Sequence, residues 1–313
     1  MKIVTSGAKY LDIDAYGGCI AYAELLNLLK DPAIAVSTAP LNESIPPSIR
    51  EWSTELKDTY TTNEADQFIL VDISDPAYFD SFVTEAEVVE IIDHHMEFAD
   101  YWKAKLGATA HIEFIGAACT LVFERWQGSG LLPKMSVTSA KLLAAGILDN
   151  TLNFKAQVST ERDKKAYAAL SQQAKLPANW DARYFEECQL AIMGDVTTAV
   201  ENDLKTLRFP SLAHDMATGQ LVVWDARSLL QNSLDAIQET MLRSAGHWFM
   251  NIVSIAEGRN YLLASDAHVQ EFLERLTGAS FEAGTGVTDR LWLRKEIMKE
   301  DIDIAITEDG SEE

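Results

Sequence analysis

Short apolar runs alternate with longer segments of helical character over the first part of the chain. Four of the runs have the length of buried strands and lie near residues 2–5, 33–37, 67–73 and 88–92. Four longer segments predict helices near residues 15–30, 116–129, 135–147 and 160–174. Strands that alternate with helices are typical of a parallel sheet with helices on both faces. We therefore predict a doubly wound, mainly parallel α/β domain.

The pattern changes after Leu176-Pro177-Ala178-Asn179, and the polar stretch 177–200 is expected to contain a hinge and one or two helices. The strand candidates beyond it are spaced differently and lie near 204–208, 219–225, 249–257, 260–264 and 287–293. Two further helices are predicted near 227–243 and 266–276. This pattern predicts a second, smaller mixed α/β domain. We place the division at 1–188 and 189–313, and expect the active site in the cleft between the two domains.

Acidic and imidazole side chains follow several of the apolar runs. The most distinctive group is Asp93-His94-His95, directly after the run 88–92. Asp12 and Asp14 follow the first run, Asp72 follows the third, and Asp149 follows Gly146-Ile147-Leu148, which we interpret as a fourth strand-like segment. A single Asp after a strand is most often a helix cap or a turn residue, but independent caps are not expected to recur in this way. Because strand carboxyl ends share one edge of a parallel sheet, the pattern predicts a cluster that needs a cation.

The residue types of this cluster indicate which cation it would bind. Carboxylates with one or two imidazoles suit Mn²⁺, Mg²⁺, Co²⁺ or Zn²⁺, and the excess of carboxylate favours Mn²⁺ or Mg²⁺. There are enough carboxylates for two metal ions. A pair of ions can hold a bridging hydroxide and neutralise the charge of a leaving phosphate. Asp12-Ile13-Asp14 is predicted to be an extended loop that points both carboxylates at the metals. Gly17 and Gly18 follow, and we expect them to let ions or phosphate approach the backbone.

Composition and charge exclude several classes of function. The chain has 313 residues and a formal net charge of -22, so a long nucleic acid would be repelled. No apolar run approaches the length of a membrane span, and the N-terminus predicts a first strand, not a signal peptide. The 3 cysteines are typical of reduced thiols, which indicates a cytoplasmic protein. The acidic stretch 300–313 is interpreted as a solvated tail.

Four motifs in this order resemble the DHH phosphoesterase superfamily. They are Asp12-Ile13-Asp14-Ala15, Val71-Asp72, Asp93-His94-His95 and Gly146-Ile147-Leu148-Asp149-Asn150-Thr151. The continuation of the last motif resembles the branch that contains manganese-dependent (family II) inorganic pyrophosphatases and exopolyphosphatases. That branch carries a second domain called DHHA2, which Arg294-Lys295 and the segment around Lys205 resemble.

The resemblance implies roles for individual residues. It implies five metal ligands, with Asp72 bridging two ions: Asp12, Asp14, Asp72, His94 and Asp149. His95 corresponds to an imidazole that contacts the substrate phosphate, so His95 and Asp72 are the implied catalytic residues. The implied phosphate contacts of the second domain are Lys205, Arg294 and Lys295. One position departs from the pattern, because Ala8 stands where the pyrophosphatases have a metal-binding His.

The leading hypothesis is a metal-dependent hydrolase of phosphoanhydride bonds in pyrophosphate or short polyphosphate, using a metal-bridging hydroxide. A phosphoesterase for a small nucleotide or another phosphorylated metabolite is the second hypothesis. The third is a degenerate, catalytically weak family member that binds metal and phosphate as a sensor or scaffold, which Ala8 favours. The expected partner is a small phosphorylated substrate, with neither long nucleic acid nor membrane. The sequence leaves the oligomeric state open, a homodimer included.

Overall fold

A computed structural model of the chain describes residues 1–212 and 214–309. The chain forms two compact units, Met1–Asp181 and Ala182–Glu313. The boundary that we predicted, between residues 188 and 189, falls inside a helix that runs through Trp180–Gly194. No helix within the described ranges is both long enough and apolar enough to span a bilayer.

The first unit alternates strands and helices as the hydrophobic pattern predicts. Its strands are β1 (Lys2–Thr5), β2 (Ala33–Val36), β3 (Leu56–Lys57), β4 (Gln67–Val71), β5 (Val88–Asp93) and β6 (Ala110–Ile112). Its helices are α1 (Ile13–Leu28), α2 (Pro47–Arg50), α3 (Ala99–Leu106), α4 (Ala118–Gly128), α5 (Val137–Asn150) and α6 (Glu161–Ala174), and α7 (Trp180–Gly194) begins at its end.

The six strands form one sheet in the order β3-β2-β1-β4-β5-β6. Every neighbouring pair is parallel, with Ile3 opposite both Ile34 and Phe68 in the centre. The chain moves outward in one direction from β1 to β3 and in the other from β4 to β6. The strand order therefore reverses between β1 and β4, which is where open α/β sheets bind their ligands.

Alternate residues of β4 show that helices cover both faces of this sheet. Phe68 and Leu70 pack in a cluster with Trp102 of α3. Val71 points the other way, where its Cγ1 lies 2.6 Å from the position that a Cβ on Gly18 of α1 would occupy. Because successive strand residues face opposite sides, α1 and α3 lie on opposite faces, as expected for a doubly wound domain.

The second unit is a mixed α/β domain, as predicted. After most of α7 it contains α8 (Val196–Asp203), β7 (Lys205–Phe209), β8 (His214–Val223), α9 (Ala226–Ser244), β9 (Trp248–Ser254), β10 (Arg259–Ala264), α10 (Ala267–Thr277), β11 (Ser280–Glu282), β12 (Thr285–Val287) and α11 (Arg294–Asp309). The strand order is β11-β12-β10-β9-β8-β7, in which β8 and β9 are parallel and the other pairs antiparallel. Both faces are buried, since Ile252 packs with α9 while Phe249 packs with α10.

Two local predictions were wrong, and the structure adds a helix to a third segment. Residues 146–148 are not strand-like but form the last turns of α5, so Asp149 lies on a helix. The predicted strand 287–293 ends at Val287, and Arg294 begins a helix instead. The acidic stretch that begins at Glu300 is helical to Asp309, and residues 310–313 lie outside the described part of the chain.

Candidate metal centre

The loops after β1, β4 and β5 carry the acidic and imidazole side chains. Asp12 is the N-cap of α1, and its Oδ1 accepts a hydrogen bond from Ala15 N at 3.0 Å. Asp72 directly follows β4 with a φ of 61°, in the left-handed region that residues with a Cβ rarely adopt. Its N–H donates to Ile92 O at 2.8 Å, which holds it beside β5. The unfavourable backbone conformation is maintained at the point where the strand order reverses, a common property of functional residues.

His94 and Asp72 face each other in the interior and direct a ring nitrogen and a carboxylate oxygen to the same place. Nδ1 of His94 lies 3.1 Å from Ile115 O, which can only accept, so this nitrogen carries the hydrogen. In the neutral ring Nε2 is then a lone pair, and it lies 3.3 Å from Oδ1 of Asp72. That oxygen is buried and has no hydrogen-bond partner among the described residues. Two lone pairs directed at each other in a buried place are stabilised by a shared metal ion, and the donor types suit Mn²⁺.

Asp93 orients the second imidazole. Its Oδ1 accepts from the backbone N–H of His94 at 2.7 Å and of His95 at 3.2 Å, and from Nδ1 of His95 at 2.9 Å. The His95 ring is therefore fixed with Nδ1 toward Asp93 and Nε2 away from it. Partial burial and the adjacent His94 lower the pKa of His95, but the hydrogen bond to Asp93 and the charges of Asp93 and Asp72 outweigh them and raise it. The sequence motif contained Asp93, but its orienting role was missed.

Asp14 is completely buried and is held by groups from two other helices. Its Oδ2 accepts from Ala118 N at 2.8 Å and from Nδ2 of Asn150 at 2.7 Å, and its Oδ1 accepts from Cys119 N at 2.7 Å. These two N–H groups belong to the first turn of α4, so the carboxylate also caps that helix. Oδ2 thus accepts two hydrogen bonds and Oδ1 accepts one, so Oδ1 keeps a further lone pair for a cation. Asp14 thus lies in the first turn of α1 and not in the extended loop that the sequence suggested, whereas Asp12, the N-cap, does have an extended backbone.

The carboxylates strongly disfavour each other's charge. Burial, and then the charges of Asp14 and Asp12, hold the pKa of Asp72 well above its ordinary value. Burial and the charge of Asp14 likewise raise the pKa of Asp12. Buried carboxylates that repel one another in this way are stabilised by a bound cation.

The predicted ligands are not all equally close. In the described part of the chain, one group of at least 3 candidate donors has its ligand atoms within 4.8 Å of one another, and it consists of Asp72, His94 and His95. Asp12, Asp14 and Asp149 lie outside that group, although the first two perturb the pKa of Asp72. Asp149 is half-buried near the end of α5. Ala8 lies in the loop after β1, where its N–H donates to Tyr78 O at 2.9 Å and its side chain offers no donor.

The glycines of α1 serve helix packing and not the approach of ions. A Cβ on Gly17 would lie 2.9 Å from the carbonyl oxygen of Leu142 in α5, and one on Gly18 would lie 2.6 Å from Val71. The expected role of these two residues was therefore wrong. Gly146 has the more direct connection to the site, because a Cβ there would lie 3.0 Å from the Asp14 carboxylate.

The three predicted phosphate contacts belong to the second unit. Lys205 is the first residue of β7, and Arg294 and Lys295 are the first two residues of α11. Lys295 is exposed, whereas Arg294 is buried and its guanidinium contacts Asp203 at 2.6 Å. This pair joins residues 91 positions apart, so no local pattern in the sequence could have indicated it.

Comparison with known families identifies the first unit. Residues 2–147 match the sequence profile of the DHH family, N-terminal domain. This match covers most of the unit Met1–Asp181 and agrees with the resemblance that the four ordered motifs had indicated.

Several related proteins carry the name manganese-dependent inorganic pyrophosphatase. The Bacillus licheniformis protein is 28% identical over 186 residues, 57% of this chain and 57% of that protein. The Lactobacillus helveticus protein is 27% identical over 250 residues, 76% of each chain. The Archaeoglobus fulgidus protein is 24% identical over 323 residues, 96% of this chain and 97% of that protein. The chain therefore spans little more than half of the first relative and nearly all of the last.

Two solved structures share the fold. A Methanococcus jannaschii protein assigned to family II inorganic pyrophosphatases has a TM-score of 0.68 and 18% identity, with 97% of this chain and 99% of that chain covered. An exopolyphosphatase-related protein from Bacteroides fragilis has a TM-score of 0.50 and 12% identity, with 98% and 92% covered. At these identities the likeness concerns the fold, which extends over both units.

Proposed function

We propose that this protein is a metal-dependent hydrolase of phosphoanhydride bonds in pyrophosphate or short polyphosphate. The observation that carries the proposal is the buried pair of His94 Nε2 and Asp72 Oδ1, which lie 3.3 Å apart beside further carboxylates whose charges raise the pKa of Asp72. The names of the relatives, manganese-dependent inorganic pyrophosphatases, favour this chemistry over other reactions of metal sites.

The proposed ligands are the five residues implied by the motifs: Asp12, Asp14, Asp72, His94 and Asp149. Mn²⁺ is the proposed ion, with Mg²⁺ or Co²⁺ as substitutes, and two ions are proposed because several carboxylates surround Asp72. When bound, such ions supply Lewis acidity and an activated water for attack on phosphorus. Because Ala8 supplies no imidazole, one of the two ions would have oxygen ligands alone. We expect that ion to bind more weakly than the other.

His95 is the proposed substrate-contacting residue of the first unit. Its Nδ1 is held by Asp93 and its side chain is half-exposed, so Nε2 can face a phosphoryl oxygen. In the metal-free chain the hydrogen bond to Asp93 raises the pKa of His95, and an imidazolium at this position would donate a charge-assisted hydrogen bond to phosphate. Such a donor stabilises the charge that develops on the oxygens during transfer.

Lys205, Arg294 and Lys295 are proposed to bind the remaining phosphate oxygens. Lys205 pairs with Thr218 in the β7–β8 ladder, and Thr218 O accepts from Arg294 Nη1 at 3.2 Å. Two of the three bases, far apart in sequence, therefore come from the same corner of the second unit. A lysine supplies a point charge and an arginine supplies a planar fork, which together suit a polyanionic substrate.

A panel of phosphate-release assays tests the proposal. The substrates are pyrophosphate, tripolyphosphate and a nucleoside monophosphate, each with Mn²⁺, Mg²⁺, Co²⁺ or EDTA. We expect metal-dependent release from pyrophosphate or tripolyphosphate and none in EDTA. Release from the nucleotide alone would favour the phosphoesterase hypothesis, and no release with any metal would favour a binding role.

A further inference from the structure

The guanidinium of Arg294 is held along one edge by a set of acceptors that only the tertiary structure assembles. Nη1 donates to Asp203 Oδ2 at 2.6 Å, to Asp203 O at 3.1 Å and to Thr218 O at 3.2 Å. Nη2 donates to Asp203 Oδ1 at 3.3 Å. Since Asp203 is the last residue of α8, the cation also binds a carbonyl at the negative end of that helix.

The edge of the same guanidinium that Nε and Nη2 form keeps N–H donors without an acceptor among the described residues. Arg294 carries five N–H donors in a fixed plane, and its contacts with Asp203 and Thr218 use the hydrogens of Nη1 and one hydrogen of Nη2. Across residues 1–212 and 214–309 no acceptor is bonded to Nε or to the outer hydrogen of Nη2. These two N–H groups are parallel, and such a fork matches two oxygens of one phosphate.

Asp203 is fixed in turn by its neighbours. Its Oδ2 accepts from the backbone N–H of Gln220 at 2.5 Å, and its side chain is only 26% exposed. The side chain of Gln220 accepts a hydrogen bond from Arg294 N at 2.7 Å. Gln220 of β8 therefore fixes the backbone of Arg294 directly and its guanidinium through Asp203. A carboxylate held in this way imposes one orientation on the guanidinium.

Buried amides hold the segment that leads into Arg294. Nδ2 of Asn251 and Nδ2 of Asn260 donate to Trp292 O at 2.9 and 2.6 Å, and Trp292 N donates to Asn260 Oδ1 at 3.0 Å. Asn251 and Asn260 have no exposed surface. The backbone before α11 is therefore bound by side chains of β9 and β10 and not by a strand partner, which explains why the predicted strand does not form there.

We infer that Asp203 is a positioning residue, which holds Arg294 with its Nε and Nη2 edge open to a phosphate of the substrate. The inference rests on the proposed function and extends it to a residue that does not itself contact phosphate. A negative charge beside a phosphate site would be unfavourable if it acted alone. Asp203 instead favours phosphate binding indirectly. A guanidinium that Asp203 has already oriented loses less conformational freedom when it binds phosphate.

The test is a double-mutant cycle in the full-length chain, made of Asp203→Asn, Arg294→Ala and both together. Asp203→Asn keeps the size of the side chain and removes the charge that fixes the fork. We expect it to raise KM for pyrophosphate about tenfold, as loss of an orienting partner commonly does, with kcat changed much less. In the Arg294→Ala background the same substitution should change KM less than about twofold, since Asp203 then has nothing to orient.

Controls separate positioning from folding. Asp215→Asn is the matched control, because Asp215 forms an exposed pair with Arg208 at 3.5 Å in the same β7–β8 hairpin and should leave KM unchanged. Mn²⁺ affinity should be the same in all variants. An equal rise of KM in both Arg294 backgrounds, or an unchanged KM after Asp203→Asn, would overturn the inference.

Binding of imidodiphosphate with Mg²⁺, measured by calorimetry, keeps this inference distinct from the proposed function. If the wild type hydrolyses neither pyrophosphate nor tripolyphosphate, the proposed function is wrong. The positioning role then requires that Asp203→Asn weaken imidodiphosphate binding about tenfold and only when Arg294 is present. Equal binding by wild type and Asp203→Asn would overturn it.

Discussion

Replacing His94 by Ala should remove most of the stabilisation that Mn²⁺ gives to the first unit. A ligand present at one hundred times its Kd stabilises the folded state by about 2.7 kcal/mol. For a unit of the size of Met1–Asp181, each kcal/mol raises Tm by about 2–4 °C, so saturating Mn²⁺ should raise the wild-type Tm by roughly 5–11 °C. Without the Nε2 lone pair, Asp72 must hold the ion with oxygen ligands alone, and the rise should shrink to a small fraction of that value.

The substitution has a second effect that the assay must separate. Because His94 is buried and its Nδ1 donates to Ile115 O, its removal leaves a cavity and an unsatisfied carbonyl, which cost about 1–3 kcal/mol even without metal. The quantity to compare is therefore the difference in Tm between Mn²⁺ and EDTA, measured by calorimetry for each variant. His111→Ala is the matched control, because His111 lies on the adjacent strand β6 and outside the metal group.

We expect His94→Ala also to lose phosphate release from pyrophosphate, while His111→Ala retains both the release and the Tm difference. A His94→Ala protein with the full wild-type Tm difference and wild-type turnover would refute the assignment of His94 as a ligand. If His94→Ala does not fold in EDTA, the same calorimetric scan will show no unfolding transition. The comparison is then made with His94→Gln, which keeps a side chain in the cavity.

Three further predictions concern the other residues of the site. Asp149→Asn should abolish hydrolysis while the protein remains folded, as measured by phosphate release and circular dichroism; wild-type turnover at saturating Mn²⁺ would contradict its role as a ligand. Arg294→Ala should lower kcat/KM about ten- to hundredfold through loss of a charge-assisted contact of about 1.5–3 kcal/mol, and Arg294→Lys should recover only part of it, with Mn²⁺ affinity unchanged in both. In EDTA, stability should fall as pH rises above about 4, because burial and neighbouring carboxylates raise the pKa of Asp72 and Asp12, so that the folded chain keeps protons that the unfolded chain has released. Denaturant titrations at several pH values should therefore find Asp72→Asn more stable than wild type at neutral pH in EDTA and less responsive to Mn²⁺, and the opposite order would contradict the repulsion that we infer.

Local patterns in the sequence were sufficient for the parallel domain and for the position of its site. The run 88–92 ends in Asp93-His94-His95, and the physical rule that strand ends share one edge of a parallel sheet brings this motif to Asp72. The same local reasoning misjudged Gly146-Ile147-Leu148, because a short apolar run has the same composition in a buried helix as in a buried strand.

The sequence by itself determined the alternation of strands and helices, the order of the motifs and the kinds of donor available to a metal, since these follow from side-chain period and chemistry along the chain. Only the tertiary structure decided which donors face each other and which are already bound. The N–H groups of α4 hold Asp14, and Asp203 holds Arg294, across separations of 104 and 91 residues. Such pairings depend on how buried polar groups from distant segments satisfy one another, and no periodicity within a single segment encodes that choice.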